Sequence, residues 1–210
     1  MSDPSHPKVA RTDHDILDVI RHRWSPRAFD PAADVTKVEL ERLFEAARWA
    51  PSSRNEQPWR FVVAHRHRTP EKYTELLGAL NPRNQAWAGA APALVLVAVR
   101  LKHETIEVDN AHAWYDAGQA VGFLTLQATA DGLSIRQMQG FDVEVARRVC
   151  DVPPPFEPGV VMAIGRAGDP DALTSPAHRD AERAPRIRRS IREFVFEGTW
   201  GVELTMTSWK

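Results

Sequence analysis

The stretch ALVLVAVR, at residues 93–100, constrains the fold of this chain more than any other part of its sequence. It is short, continuously apolar and partly β-branched, which indicates a strand covered on both faces. Two more strands are predicted at 59–66 and 159–166, and the longest helix is predicted at 109–130. Few strands and one long central helix favour an α+β fold over a doubly wound sheet. We therefore expect a mixed β-sheet flanked by helices.

Length and charge limit the organisation of the chain. Its 210 residues, 43% of them hydrophobic, can bury one full core. Residues 1–12 are polar and contain two prolines, so we expect a disordered N-terminal segment, one domain over 13–201 and a tail over 202–210. The net charge of −1 provides no global field that would attract nucleic acid or an anionic membrane.

Other classes of protein and site are excluded by what the sequence lacks. The apolar run at 88–99 is far shorter than the roughly 20 residues of a membrane span. The N-terminal stretch has no apolar core typical of a signal peptide, so a cytoplasmic location is expected. Cys150 is the single cysteine, and the 8 histidines have no ligand spacing. We therefore predict neither a disulfide nor a metal site.

Helix signals divide the rest of the chain. A first helix is predicted at 13–23, with Asp13 as its cap. Thr36 and Glu39 form a capping box for a second helix, which should end before Pro51. Further helices are short and are predicted at 70–79, at 82–88 and after Asp142.

Two glycines lie four residues apart on the long helix. Gly118 and Gly122 share one side of it, although glycine inside a helix costs about 1 kcal/mol relative to alanine. Their presence indicates that another backbone approaches closely. That backbone belongs either to a second subunit or to a neighbouring helix of the same chain.

The stretch RHRWSPRAF, at 21–29, carries an alternating basic pattern. In an extended loop, Arg23, Ser25 and Arg27 would converge on one side, which suits the bidentate binding of a phosphate. A solvated basic loop is the alternative. Arg186 and Arg188 alternate similarly near the C-terminus, and the two groups could jointly bind one dianion.

A polar turn in WAPSSRNEQPWRFVVA, at 49–64, separates an apolar helix from an apolar strand. Asn55 and Gln57 each offer a donor and an acceptor, which matches the edge of a heterocyclic ring. Pro51 and Pro58 stiffen the turn. Because G-x-G-x-x-G and P-loop motifs are missing from the sequence, the turn predicts a different grip, on a flat cofactor with polar edges.

Four blocks of sequence together resemble the FMN-dependent nitroreductase family. They are RWSPRAF, AARWAPSSRNEQPWRFVVA, DAGQAVGFLTLQATADGLSIRQMQGFD and PRIRRSIREFVFEGTWG, and they extend in the family's order from about 17 to 201. The resemblance implies a homodimeric α+β fold with the long helix and two FMN sites at the subunit interface. It also implies ping-pong hydride transfer from NADH or NADPH to a nitroaromatic, quinone or related electron-poor acceptor. No side-chain acid or base is required, so no catalytic residue is predicted.

The resemblance also assigns residues to parts of the cofactor. It implies contacts to the phosphate and ribityl chain from Arg23, Ser25, Arg27, Arg186 and Arg188. Trp24 stands where many members carry Arg or His, so it replaces a phosphate donor with packing. Contacts to the flavin ring are implied for the partner subunit's loop at Pro51, Ser52, Ser53 and Asn55, for the amide of Asn84, and for the backbone of Gln137, Met138, Gln139 and Gly140.

Three further readings remain open. The aromatic groups of Trp87, His112, Trp114 and Tyr115 could line a substrate mouth or simply pack. A member of the same fold could consume reduced FMN with oxygen and cleave its ring. A non-enzymatic interaction protein could instead dock a helix at RIRRSIREFVF on an acidic partner or membrane surface.

Overall fold

The computed structural model describes residues 6–106 and 108–205. Its helices are α1 (Asp18–His22), α2 (Lys37–Arg48), α3 (Pro70–Ala79), α4 (Pro82–Ala88), α5 (Ala113–Ala130), α6 (Val143–Val149) and α7 (Pro176–Arg183). Its strands are β1 (Trp59–His65), β2 (Ala93–Arg100), β3 (Ser134–Met138) and β4 (Phe156–Gly165). No helix in these ranges combines the length and hydropathy that crossing a bilayer requires.

The four strands form one sheet in the order β1-β2-β4-β3. Each of the three pairings is antiparallel. The predicted α+β class is confirmed, but within the described residues the sheet is antiparallel rather than mixed. The difference arises because β2 lies between β1 and β4 and runs opposite to both.

Strand β2 is buried on both faces, as its continuous apolar run predicts. Leu94 and Leu96 pack on one side with α3, α4 and α6, while Val95 and Val97 pack on the other with α2 and α5. Because each buried leucine or valine contributes about 1.5–3 kcal/mol, this strand is the centre of both cores. The result is a sheet with helices on both faces.

The capping box of α2 is present as predicted. The Thr36 hydroxyl accepts from the Glu39 backbone at 3.2 Å, and the Glu39 carboxylate accepts from the Thr36 backbone at 2.8 Å. The guanidinium of Arg166 donates to the same carboxylate at 2.7 Å. Burial alone would raise the pKa of Glu39, but these donors outweigh it and lower the pKa. Helix α2 is therefore fixed at its first turn to the end of β4.

The long helix predicted at 109–130 begins at Ala113. Two other predicted helices are wrong in extent or existence. Helix α1 is confined to Asp18–His22, and its N-cap is Leu17 without a side-chain cap, so Asp13 does not serve as the cap. The stretch 187–195 contains only a 3-10 turn, Ile191–Glu193. In both places the apolar side chains are exposed, with Leu17 at 69% and Ile187 at 84%. A helix without a surface to pack on has little stability.

The basic stretch at 21–29 is bonded to the chain just beyond the end of β4. Phe29 is 2% exposed and forms an antiparallel bridge with Ala167. The Gly168 backbone donates to Ala28 at 2.9 Å, and the Asp30 backbone donates to Arg166 at 3.0 Å. These bonds hold the basic segment at 21–29 beside the ends of β3 and β4.

Candidate functional site

The first basic group begins with a contact between two predicted residues. Arg23 donates from Nη1 to the Ser25 hydroxyl at 3.0 Å, and both side chains are half-buried. Burial lowers the pKa of Arg23, and the nearby guanidinium of Arg188 lowers it further. The structure therefore brings Arg188, from the second basic group, close to the first.

Arg186 has a different part in this arrangement. Its two terminal nitrogens donate to the backbone carbonyls of Arg21 and Arg23. Its Nε is buried without a hydrogen-bond partner among the described residues. Burial lowers the pKa of Arg186, and Arg23 and Arg188 lower it further. Arg186 therefore fixes the backbone of the basic loop, which leaves Arg23 and Arg188 as the cations with free donors.

Arg27 turns toward a buried carboxylate. Glu182 on α7 is 3% exposed, and its Oε1 accepts from the Arg27 backbone at 3.1 Å and lies 3.8 Å from Nη1 of the Arg27 guanidinium. The guanidinium of Arg27 thus faces Glu182, while that of Arg23 faces the hydroxyl of Ser25. The alternation in sequence does not place both arginines on one partner.

Sequence reasoning missed Arg136, on β3. Its Nη1 donates to the Ser25 carbonyl at 2.6 Å, and its guanidinium lies 5.4 Å from the ring centre of Trp87. Burial lowers the pKa of Arg136 to about 10, with Arg27 acting in the same direction and Glu182 opposing it. The only available signal was a charged residue next to Gln137.

Trp24 packs against the N-terminal segment, consistent with the packing role inferred for it. Lys8 lies with its Nζ 5.6 Å from the indole centre and donates to the carbonyls of Ala181 and Ala184 at 2.5 and 2.6 Å. Lys8 is only 8% exposed. Residues 1–5 of the segment expected to be disordered lie outside the described residues, as do residues 206–210 of the expected tail.

Asn84 and Gly140 meet as neighbours. The Asn84 amide donates to the Gly140 carbonyl at 3.2 Å, and the Asn81 backbone donates to the same oxygen at 2.9 Å. A Cβ at position 140 would lie 2.0 Å from the Asn81 amide nitrogen. A side chain at position 140 would therefore displace the amides of Asn81 and Asn84 from their present positions.

At the end of β3, the side chain of Met138 is buried in the core, whereas those of its neighbours Gln137 and Gln139 are exposed. Met138 is 3% exposed and belongs to the core with α3 and α4, so only its backbone is available to a ligand. Gln137 and Gln139 are exposed and line a cavity of about 590 Å³ between α5 and the sheet. Trp114 lies over Gly159 in that cavity, where a Cβ would be 2.3 Å from the indole.

The polar turn at 51–57 rests on α5. The Ser53 backbone donates at 2.9 Å to Asp116, a buried carboxylate that sequence reasoning did not single out. Arg54, Asn55 and Gln57 have positive φ angles of 53°, 57° and 46°. Left-handed backbone at non-glycine residues costs on the order of 1–3 kcal/mol each. The turn therefore depends on its hydrogen bonds to keep this shape.

The aromatic side chains predicted to line a substrate opening do not lie together. They are Trp87, His112, Trp114 and Tyr115. His112 and Tyr115 line a cleft with Ser52 and Ser53. Trp87 is 4% exposed and lies 6.3 Å from Phe29 in the opposite core. Among the described residues, the hydrogen bonds and ion pairs of the turn at 51–57 do not include Arg23, Arg27, Arg136, Arg186 or Arg188.

Replacing Asp116 with alanine should loosen the turn. The loss of one hydrogen bond to a charged group removes about 1.5 kcal/mol, so trypsin should cleave after the exposed Arg54 about tenfold faster. The D116N variant keeps an oxygen acceptor for Ser53 and should be cleaved at close to the wild-type rate. Equal cleavage of D116A and wild type would show that Asp116 does not hold the turn.

Comparisons with known proteins agree with this fold. The model of the nitroreductase family matches residues 20–166. An uncharacterized 15.4 kDa protein of Mycolicibacterium smegmatis is 34% identical over 148 residues, which cover 68% of this chain and 97% of that protein. The putative NAD(P)H nitroreductase YdgI of Bacillus subtilis is 36% identical over 84 residues, 40% of this chain and 38% of the relative.

A solved structure extends the comparison to almost the whole chain. It is that of an oxidoreductase containing FMN, with a TM-score of 0.84 and 31% identity, and the match covers 97% of this chain and 100% of that one. The family match covers more than half of the present sequence and includes three of the four blocks of resemblance. The chain therefore belongs to the nitroreductase family.

Proposed function

We propose that this protein is an FMN-dependent oxidoreductase that uses NADH or NADPH to reduce nitroaromatic, quinone or related electron-poor acceptors. The observation that carries the proposal is the pair Arg23 and Arg188, two neighbouring cations with no carboxylate partner among the described residues. Arg23 is half-buried and Arg188 is exposed, and two neighbouring guanidinium groups without carboxylate partners suit a phosphate dianion. Family membership and the FMN named for the structural relative agree with it.

The residues present fit the parts of FMN. Arg23, Ser25 and Arg188 would hold the phosphate, while Arg186 fixes the loop that carries them. The Asn84 amide and the backbone of Gln137–Gly140 supply donors and acceptors for the ring. Because the Met138 side chain is locked in the core, that backbone is held in a fixed position.

FMN, when bound, would supply the hydride chemistry, which alternates between nicotinamide and acceptor in a ping-pong cycle. The chain's own residues would bind FMN and orient it. Gln137, Gln139 and Trp114 line the adjoining cavity, and we assign no acid or base to any side chain.

We also propose that the protein is a homodimer in which the turn at 51–57 completes the partner's cofactor site. A Cβ added at Gly118 or Gly122 meets no atom within 4 Å outside the helix backbone in the described chain. A neighbouring helix of the same chain thus does not explain these glycines. Phe123 (43% exposed), Ile187 (84%) and Trp200 (89%) present further apolar surface, which is typical of an interface.

Replacing Gly122 with alanine tests the dimer. If a partner's backbone lies against it, the added methyl group should weaken association about tenfold, because overpacking costs about 1–3 kcal/mol. The matched control is Gly78→Ala, an exposed helical glycine that likewise has nothing within 4 Å. Sedimentation equilibrium should show a change for G122A alone, and equal association of the two variants would contradict the proposal.

The absorbance spectrum of the purified protein, mixed with FMN and passed through a desalting column, tests the activity. We expect retained flavin absorbance that bleaches on anaerobic addition of NADH or NADPH and returns with an electron-poor acceptor. A protein that retains no FMN would overturn the proposal. Flavin absorbance that is lost in air and does not return would instead indicate the flavin-consuming alternative.

A further inference from the structure

The N-terminal stretch at 8–14, called the strap below, lies against the basic loop. The Ala10 backbone donates to the carbonyl of Arg21 at 2.9 Å. The ammonium of Lys8 lies 5.6 Å from the ring centre of Trp24. Trp24 stands between the two residues of this loop that we assign to the phosphate. The strap therefore contacts the segment that carries both of them.

Lys8 fastens the strap to the end of α7. Its Nζ donates to the carbonyls of Ala181 and Ala184 at 2.5 and 2.6 Å, and the residue is only 8% exposed. Burial lowers the pKa of Lys8, and the carboxylate of Glu182 acts in the opposite direction. The ammonium is thus held by two hydrogen bonds and by a neighbouring negative charge on the same helix.

The end of α7 does not require this lysine. Ala181 and Ala184 are exposed, and water can satisfy the last carbonyls of a helix at the surface. Lysine is rarely buried so deeply, because removing its charge from water is unfavourable. The strap also precedes the residues that the family model matches. The contact therefore serves to fix the strap rather than to complete the helix.

The strap forms part of the wall of a cavity of about 1050 Å³. Residues 10–14 line this cavity together with Arg23 and Arg188, the two cations assigned to the phosphate. A phosphate held by these arginines would share the cavity with the strap. A strap fixed in place would then limit the routes by which the phosphate can leave.

We propose that Lys8 is a positioning residue for the cofactor, which keeps the strap in place beside the phosphate and so slows the release of FMN. The inference rests on the proposed function, because it requires the phosphate of FMN to lie at Arg23 and Arg188. Lys8 acts through the strap and makes no contact with the cofactor, since its donors are committed to α7. Riboflavin, which lacks the phosphate, would not be retained in this way.

The test compares wild type, K8M and K8R, each loaded with FMN or with riboflavin. The recovery of flavin fluorescence after dilution gives the rate of release. We expect K8M to release FMN about tenfold faster, because two hydrogen bonds from a charged donor are lost, and to release riboflavin at the wild-type rate. K8R keeps the charge and the donors and should restore most of the slow release. K37M, which removes a lysine side chain that is 87% exposed on α2, is the matched control.

Limited proteolysis of the flavin-free protein measures the anchor itself. Trypsin should cleave after the exposed Arg11 faster in K8M than in wild type, and an unchanged rate would show that Lys8 does not hold the strap. In the release experiment, equal acceleration of both flavins in K8M would indicate general damage to the site and overturn the inference. An unchanged rate of FMN release would overturn it as well. Failure of the wild-type protein to bind FMN would refute the proposed function, and the inference with it.

Discussion

Replacing Gly168 with alanine is expected to lower the free energy of unfolding by about 3 kcal/mol. A Cβ there would lie 2.5 Å from the carbonyl carbon of Phe29, 2.6 Å from its oxygen and 2.7 Å from the backbone nitrogen of Asp30. All three are main-chain atoms, so no side-chain rotation relieves the overlap. The bridge between Phe29 and Ala167 would have to open, and it holds the basic segment against the sheet.

Urea denaturation of G168A measures this effect, with a second glycine variant as control. Gly78 is exposed inside α3 and a Cβ there meets nothing within 4 Å. G78A should therefore gain roughly 0.5–1 kcal/mol, since alanine has the higher helix propensity. The two variants should shift the denaturation midpoint in opposite directions. A G168A midpoint equal to that of wild type would show that the segment at 28–30 can move away from Gly168 at little cost.

Replacing Arg23 with glutamine is expected to weaken FMN binding by about 10- to 100-fold, since hydrogen bonds to charged groups contribute about 1.5–3 kcal/mol each. Riboflavin, which lacks the phosphate, should bind the variant and the wild type with similar affinity. The comparison separates loss of a phosphate contact from general damage to the site. Arg23 is a better target than Arg27, whose removal would also leave the buried carboxylate of Glu182 without its partner.

Fluorescence titrations with both flavins provide the measurement. R68Q removes the same charge from an exposed turn after β1 and should leave both affinities unchanged. Equal losses of FMN and riboflavin affinity in R23Q would place Arg23 away from the phosphate. Unchanged FMN affinity would mean that the phosphate binds elsewhere.

Local signals predict much of the fold correctly. The capping box at Thr36 and Glu39 and the cap at Asp142 specify helices through contacts within a few residues, and the apolar run at 93–100 identifies a buried strand from its own composition. The predicted pieces at 70–79 and 82–88 coincide with α3 and α4. Such features need no knowledge of the rest of the chain.

Elements whose pattern depends on distant partners were not predicted. Strand β3 carries Arg136 and Gln137, whose polarity hides it until its pairing with β4 is known. Helix α7 is charged, and its one buried side chain among the described residues is Glu182. The contact of Arg136 with Ser25 joins residues 111 positions apart. Asp116 likewise acquires its role only because α5 lies under the turn at 51–57.

The hydrogen bonds from Arg186 to the carbonyls of Arg21 and Arg23 have a thermodynamic consequence for the proposed dimer. Arg186 lies at the start of the C-terminal arm, the described residues 186–205, in which the apolar side chains of Ile187 and Trp200 are exposed. Whatever immobilises that arm also immobilises the loop that carries Arg23. By reciprocity of linked equilibria, subunit association and cofactor retention should then strengthen each other. Dilution to monomers would favour release of the flavin, and flavin would favour assembly.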